Sequence, residues 1–369
     1  MPMIKPLIAS VLAALATPTL AQVSTSAGSV SIEPVLQGLN APWGFGFLPS
    51  GQVLITERDG ELLLLTPGQD VTQVEGVPKV VAERQGGLLD VLVPRDFARS
   101  RELFFTYAKR QGQRGANTAV AKARLSDDGT RLENLETIFE AERGPTGGRH
   151  FGSRLVEAQD GTLYLTIGDR GDRPSAQDLN IENGSVVRIT RDGAIPSDNP
   201  FAEGGGQPGI WSYGHRNPQG MAVDAEGRIW AVEHGAAGGD EINLIQRGAN
   251  YGWPVIAYGT HYNGAKIGEG TMKEGLEQPA FYWDPSIAPS GMMIYSGDMF
   301  PAWRGDIFVG SLKFDMISRL EKDGTVNEAE RIASDETLRV RDIREAPDGS
   351  IWFLSIGQGA LYRMSAASS

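Results

Sequence analysis

Among the four histidines of this chain, His150 has the setting that proton chemistry asks for. The stretch Gly147-Gly-Arg-His150-Phe-Gly-Ser-Arg154 places its imidazole in a glycine-rich loop just ahead of an apolar segment. Such a loop can turn sharply and present the ring to a cavity, and imidazole is the side chain whose proton affinity lies near neutral pH, as a general base requires. A histidine hydrogen-bonded for structural reasons alone reads the same way in isolation. Asp169 and Arg170, at the end of the strand expected to pair with the one after His150, put charged neighbours within reach.

A second loop of this kind is Gly214-His-Arg216-Asn217-Pro-Gln-Gly220, where a fixed cation and an amide precede an apolar segment. Arg216 is suited to neutralising charge that develops on a bound group, although Asn-Pro-Gln-Gly also makes a serviceable turn. Lys313 in Gly310-Ser-Leu-Lys313-Phe, together with Arg339 and Arg341, extends the cationic set. Being two residues apart, Arg339 and Arg341 are expected on one side of a strand. Cations drawn from three separate segments of an acidic chain make sense as a clamp for carboxylate or phosphate, with surface ion pairs as the alternative. Finally, Glu233-His-Gly235-Ala236-Ala-Gly-Gly-Asp240-Glu241-Ile-Asn243 joins small residues to adjacent carboxylates. Small residues let backbone carbonyls approach a cation, and oxygen ligands suit calcium; the spacing is not that of an EF-hand, and a solvent-facing Asp-Glu turn is the simpler account of the acids.

The elements that must position these groups repeat. An apolar approach strand, a polar turn usually containing glycine and an alternating apolar strand recur as Gly44–Thr56, Leu88–Tyr107, Arg154–Thr166, Gly220–Val232, Gly291–Val309 and Asp342–Leu354, the last closed by Ala360–Arg363. Such units cannot bury both faces alone, and radial stacking of four-stranded sheets solves that problem. The expectation is an all-β, six-bladed β-propeller of four-stranded antiparallel blades. Long insertions at 168–184, 196–212 and 252–284 are expected to build the rim of a site on one face. Gly204-x-Gly206-x-x-Gly209 matches a dinucleotide fingerprint only formally, since no strand precedes it, Pro208 interrupts it and no helical pattern follows. Asn183-Gly-Ser185 is a glycosylation sequon by pattern alone.

Composition agrees. With 47 glycines, 21 prolines and 40% hydrophobic residues, many short strands and tight turns are favoured over long helices. The first 21 residues, with Lys5, an apolar run from Pro6 to Ala16 and Thr19-Leu20-Ala21, fit an export signal cleaved after Ala21, leaving 22–369 as one domain in the periplasm or outside the cell. The apolar run is too short for a membrane span, for which about 18 residues are needed. There is no cysteine, so thiol chemistry is excluded and an exported fold must rely on packing, ring closure or metal. The formal net charge of −12 argues against nucleic acid and anionic membranes as general partners.

Taken in order, Gln85-Gly-Gly-Leu-Leu-Asp90, His150 ahead of Arg154-Leu, Tyr164-Leu-Thr-Ile-Gly-Asp169, Gly214–Gly220, Asp240-Glu-Ile-Asn-Leu, Asn250-Tyr-Gly-Trp-Pro254, Pro285-Ser-Ile-Ala-Pro289 and Ser311-Leu-Lys313 resemble the soluble pyrroloquinoline quinone (PQQ)-dependent glucose and aldose sugar dehydrogenases, the glucose/sorbosone dehydrogenase family. The likeness runs from about Leu39 to Arg363. It implies a six-bladed propeller holding PQQ and calcium in its channel and oxidising aldose sugars at C1 to the lactone. It further implies His150 as the base and Arg216 as the stabiliser of charge on the quinone oxygen. Gln85, Arg216, Asn217, Lys313, Arg339 and Arg341 would grip the cofactor, the carbonyls of Gly235 and Ala236 would ligate the catalytic calcium, and Glu241 and Tyr251 would belong to a second calcium site. Arg149 replaces the aspartate that precedes the histidine in the glucose enzymes, Ala236 replaces a proline, and the loop before Pro285 is short, as in the aldose sugar branch; Trp283 is a candidate for stacking on the sugar. Neither the natural sugar, the electron acceptor nor the choice between monomer and homodimer follows from these motifs. Six-bladed calcium propellers also include lactonases and esterases, which need side-chain ligands converging on one channel calcium, and non-catalytic sugar- or ligand-binding ectodomains.

Overall fold

In the computed structural model, residues 21–112, 115–142 and 147–367 are described. Residues 1–20, which hold nearly all of the expected export signal, lie outside that range; Ala21 opens the first described strand. Six antiparallel sheets follow one another along the chain. Their innermost strands, Pro42–Phe47, Leu88–Leu92, Leu155–Glu157, Pro218–Val223, Pro289–Ile294 and Val340–Glu345, each pack against the next, and the last returns to the first. The six-bladed propeller expected from the repeats is therefore the architecture of this chain.

Each blade is apolar on both faces, so the core is divided among the blade interfaces. Phe45, Val53 and Ile55 of the first blade pack on Leu354 and Leu361 of the sixth. Trp230 and Val232 of the fourth meet Met292 and Val309 of the fifth, and the fifth and sixth share Tyr295, Phe308, Ile343 and Phe353. The recurrent glycine of the pattern turns the hairpin between the first two strands: Gly161 and Gly349 have φ of +83° and +80°, a region open to glycine at little cost. The second blade uses a short helix, Phe97–Ser100, at this corner instead.

Two features go beyond the sequence expectation. The sixth sheet has five strands, because its outer part is supplied by the N-terminal hairpin Ala21–Thr25 and Gly28–Gln37, the latter paired with Ala360–Ala366 (Leu36 opposite Leu361). This closes the ring between the two ends of the chain and leaves no open inner edge. The channel itself is plugged by a buried ion network: Arg154 bridges Asp90 and Asp342 at 3.0 Å each, and Arg344 reaches the same two carboxylates. No helix among the described residues is long and apolar enough to cross a membrane.

Candidate functional site

His150 stands in the loop that enters the third blade, with a left-handed φ of +56°. A β-carbon-bearing residue adopts this conformation only when its surroundings impose it. The Gln85 side-chain carbonyl does so from the second blade's entry loop, accepting a hydrogen bond from the His150 N–H at 2.6 Å. Gly168 does so from behind, since a β-carbon there would lie 2.2 Å from the His150 carbonyl oxygen. The ring is thereby aimed at Asp169, whose carboxylate oxygen is 2.6 Å from Nδ1. Asp169 has no exposed surface. It also accepts hydrogen bonds from the Gly171 N–H at 2.7 Å and from Trp253 Nε1 at 2.9 Å.

The electrostatics assign the proton. Burial opposes charge on Asp169, but the bonds from His150 and Gly171 and the charge of Arg216 outweigh it and hold the carboxyl below its ordinary value. Burial likewise pushes the His150 imidazole down, and the Arg216 and Arg149 charges add to this against the pull of Asp169. The pair at neutral pH is thus an aspartate and a neutral imidazole, with the proton on Nδ1 facing the carboxylate and the Nε2 lone pair free. The imidazole is 12% exposed, enough for that edge to be reached. Arg149 makes no hydrogen bond to the ring; its backbone carbonyl binds the Arg170 guanidinium, and Asp169 is what orients His150.

Beside this pair lies a cavity of about 250 Å³, lined by Trp43, Arg58, Gln85, Asn217, Gln219, His234, Arg339 and Arg341 among others. Its polar groups come from three arginines, three side-chain amides and a histidine. Arg341 is buried, donates to Gln219 Oε1 at 2.7 Å and packs 4.3 Å over the Trp43 ring. Burial and the Arg154 charge push Arg341 down to about 9, so it stays cationic at neutral pH. Its Nε and the Arg216 Nε are buried without a partner, which is the condition of donors awaiting a ligand; the His234 Nε2, also without a partner, is a bare acceptor, because burial keeps that ring neutral and its one proton goes to the Pro289 carbonyl. Asn217 accepts from the Gly152 N–H at 3.1 Å and so ties the Arg216 loop to the His150 loop. Glu233 fixes that loop from below, accepting from His215 Nδ1 at 2.7 Å and the Arg216 N–H at 2.6 Å.

Several expectations are corrected. Arg339 and Arg341 both line the cavity, but not by strand alternation: Arg339 precedes its strand with φ of +52°, is exposed and donates to the Leu312 carbonyl, while the strand itself carries a register shift between Val340 and Asp342. Lys313 is exposed next to Leu312, which lines the cavity, with its ammonium 5.0 Å from the Phe314 ring centroid. Trp283 is buried among the fourth and fifth blades and donates to Glu328, so it is no platform for a sugar. Asp240 is not a solvent-facing turn: fully buried, it accepts from the Gly235 N–H, Ser286 Oγ and the Ile287 and Ala288 N–H groups, stapling the small-residue loop to the Pro285–Pro289 segment. Trp43, Arg58, Gln219 and His234 were not singled out in the sequence; Trp43 and Gln219 stand near the start of an innermost strand, and Arg58 and His234 directly follow the strand paired with it.

The small-residue loop fits a cation through its backbone. Among the described residues no hydrogen bond ends on the Gly235 or Ala236 carbonyl, so both oxygens are available. A β-carbon on Gly235 would lie 2.1 Å from the Gly238 carbonyl, so this crowding of oxygens requires glycine. Among the described residues no three His, Cys, Asp or Glu side chains converge on a metal-sized site. Glu241 and Tyr251 line a small enclosure with Glu233 and the same loop. Burial and the Glu233 charge raise Glu241 well above the carboxylate range, a repulsion that a cation would relieve. The Tyr251 hydroxyl is engaged by Gln246 and Leu244, which leaves its carbonyl as the available ligand.

Comparison with known proteins places this geometry. Residues 39–363 match the family model described as Glucose / Sorbosone dehydrogenase. The aldose sugar dehydrogenase YliI of Escherichia coli (strain K12) is 44% identical over 334 residues, covering 89% of this chain and 90% of that one. The apo-form crystal structure of the soluble aldose sugar dehydrogenase from Escherichia coli superposes with a TM-score of 0.89 at 42% identity, over 92% of this chain and 100% of the other. The PQQ-bound aldose sugar dehydrogenase from Streptomyces coelicolor superposes with a TM-score of 0.74 at 26% identity, over 94% and 99%.

Proposed function

The chain belongs to the glucose/sorbosone dehydrogenase family, and from that premise we propose that it is an exported aldose sugar dehydrogenase, oxidising the sugar at C1 to the lactone with PQQ and calcium. The observation that carries the reading is the His150–Asp169 pair at 2.6 Å beside a cavity of unpartnered buried donors. Arg341, Arg339, Gln85 and Asn217 would hold the three carboxylates and ring edges of PQQ, with Trp43 beneath and Lys313 at most at the rim. The carbonyls of Gly235 and Ala236 would hold the calcium, and Glu241 with the Tyr251 carbonyl a second one. What PQQ and calcium supply when bound is a two-electron acceptor for the C1 hydride, polarised by a Lewis acid.

The rest is done by the protein. His150 accepts the anomeric hydroxyl proton at Nε2, which favours departure of the C1 hydrogen as hydride. Asp169, ionised and buried against Nδ1, stabilises the imidazolium so formed. Arg216, packed 5.4 Å from the Trp253 ring, faces the developing negative charge with an unpartnered Nε.

The test is to reconstitute the purified protein with PQQ and calcium and follow dye reduction with a panel of aldoses. Sugar-dependent reduction and a quinone absorbance that survives desalting are expected. No turnover with any aldose, and no retained quinone, would remove the assignment.

A further inference from the structure

The mouth of the site carries an aromatic side chain that neither the fold nor the chemistry above uses. Tyr262 is 79% exposed, more than any other large hydrophobic residue among those described. It sits at the tip of a small hairpin closed by the Thr260–Lys266 bridge, within which the His261 N–H donates to the Ala265 carbonyl and the Gly264 N–H to the His261 carbonyl, each at 2.8 Å. That tip is fixed over the site. The Ala237 N–H of the small-residue loop donates to the Thr260 carbonyl at 3.0 Å. The Arg173 guanidinium binds His261 Nδ1 at 2.7 Å and lies 5.5 Å from the Trp253 ring. Trp253 in turn holds Asp169 and faces Arg216, as described. The Tyr262 phenol also comes close enough to the Arg216 guanidinium to favour its charge. An anchored, solvent-exposed ring beside Arg216 has no packing role to explain it.

We propose that Tyr262 is the platform on which the sugar ring rests at the mouth of the channel. The apolar C–H face of a pyranose covers the exposed ring, removing area from water on both sides, and the phenol supplies a polar handle for a hydroxyl. This rests on the sugar-oxidation reading above. It takes the place that Trp283, buried in the core, cannot fill.

The test compares Tyr262→Ala and Tyr262→Phe with the wild type in three measurements: steady-state kinetics of the reconstituted enzyme with an aldose, retention of PQQ after desalting, and calorimetric titration with the 1-deoxy form of that aldose. The last sugar lacks the oxidisable anomeric hydroxyl and is titrated into both reconstituted protein and protein as purified. Tyr262→Ala is expected to raise KM and weaken 1-deoxy sugar binding about two- to tenfold, with kcat near wild type and PQQ retained; Tyr262→Phe recovers most of the binding. Unchanged KM and sugar binding, or loss of PQQ from Tyr262→Ala, overturns the proposal. If the wild type neither retains PQQ nor oxidises any aldose, the functional assignment fails by itself. The titration of protein as purified then decides the platform: binding weakened in Tyr262→Ala upholds it, and equal or absent binding overturns it.

Discussion

Replacing Asp169 by asparagine preserves shape and removes one charge. In the wild type the carboxylate accepts from Nδ1, from Gly171 and from Trp253, so Nδ1 carries the proton and Nε2 is basic. An amide in the same place turns its NH₂ toward Nδ1 or loses that bond, and the proton moves to Nε2, where the sugar hydroxyl must deliver its own. Loss of a general base in this manner costs about 10² to 10⁴ in rate, or about 2.7–5.4 kcal/mol of transition-state stabilisation. The pH profile adds a sign. His150 in the folded enzyme lies below its ordinary value, so activity is present above that depressed pKa and is lost as pH falls through it. Asp169 is the group that raises His150 against burial; in Asp169→Asn the residual activity must therefore persist to lower pH than in the wild type. The assay is PQQ-dependent dye reduction from acid to neutral pH, with retained quinone absorbance as the control for binding. Turnover within about threefold of wild type, or an acid limb shifted to higher pH, would refute the assignment of the pair.

Two further outcomes separate the cavity wall from its surroundings. Arg341→Ala should weaken PQQ retention by about 10- to 150-fold, the worth of about 1.5–3 kcal/mol for a buried charged hydrogen bond, whereas Lys313→Ala should weaken it less; equilibrium titration of the quinone gives both numbers. Arg154→Ala leaves Asp90 and Asp342 buried and short of a cation, so thermal unfolding should show a loss of about 3–5 kcal/mol, and a drop in stability below about 1 kcal/mol would show the network to be dispensable.

Much of this was legible in the chain because it is local. Hairpin turns at Gly161 and Gly349, the alternating strands and the motif around Arg216 each occupy a few consecutive residues, and a period of blades follows from them. What escaped reading depends on how distant segments meet. The role of Asp169 emerges only when Trp253, 84 residues away, donates to its second oxygen. Arg339 and Arg341 were placed by counting strand positions, which a register shift undoes. Trp283 and Asp240 look alike in sequence to residues at a rim, yet packing of the fourth blade against the fifth buries both. The strand Gly28–Gln37 carries no repeat motif of its own, because it completes a blade begun at the other end of the chain.

That last pairing has a consequence for how the molecule comes to exist. Arg363 and Glu33, joined across the closing strands, are 330 residues apart in sequence. The segment synthesised early must wait for one synthesised at the end, and until then the strand Gly28–Gln37 offers an unpaired edge to any other strand. Contacts of such separation slow folding and prolong exposure of that edge. The seam also puts the first described hairpin and the last described strand, Ala360–Ala366, side by side in one sheet. Joining them covalently and reopening the chain at an exposed loop elsewhere moves the latch without altering the ring, and converts the slowest contact of the fold into a local hairpin.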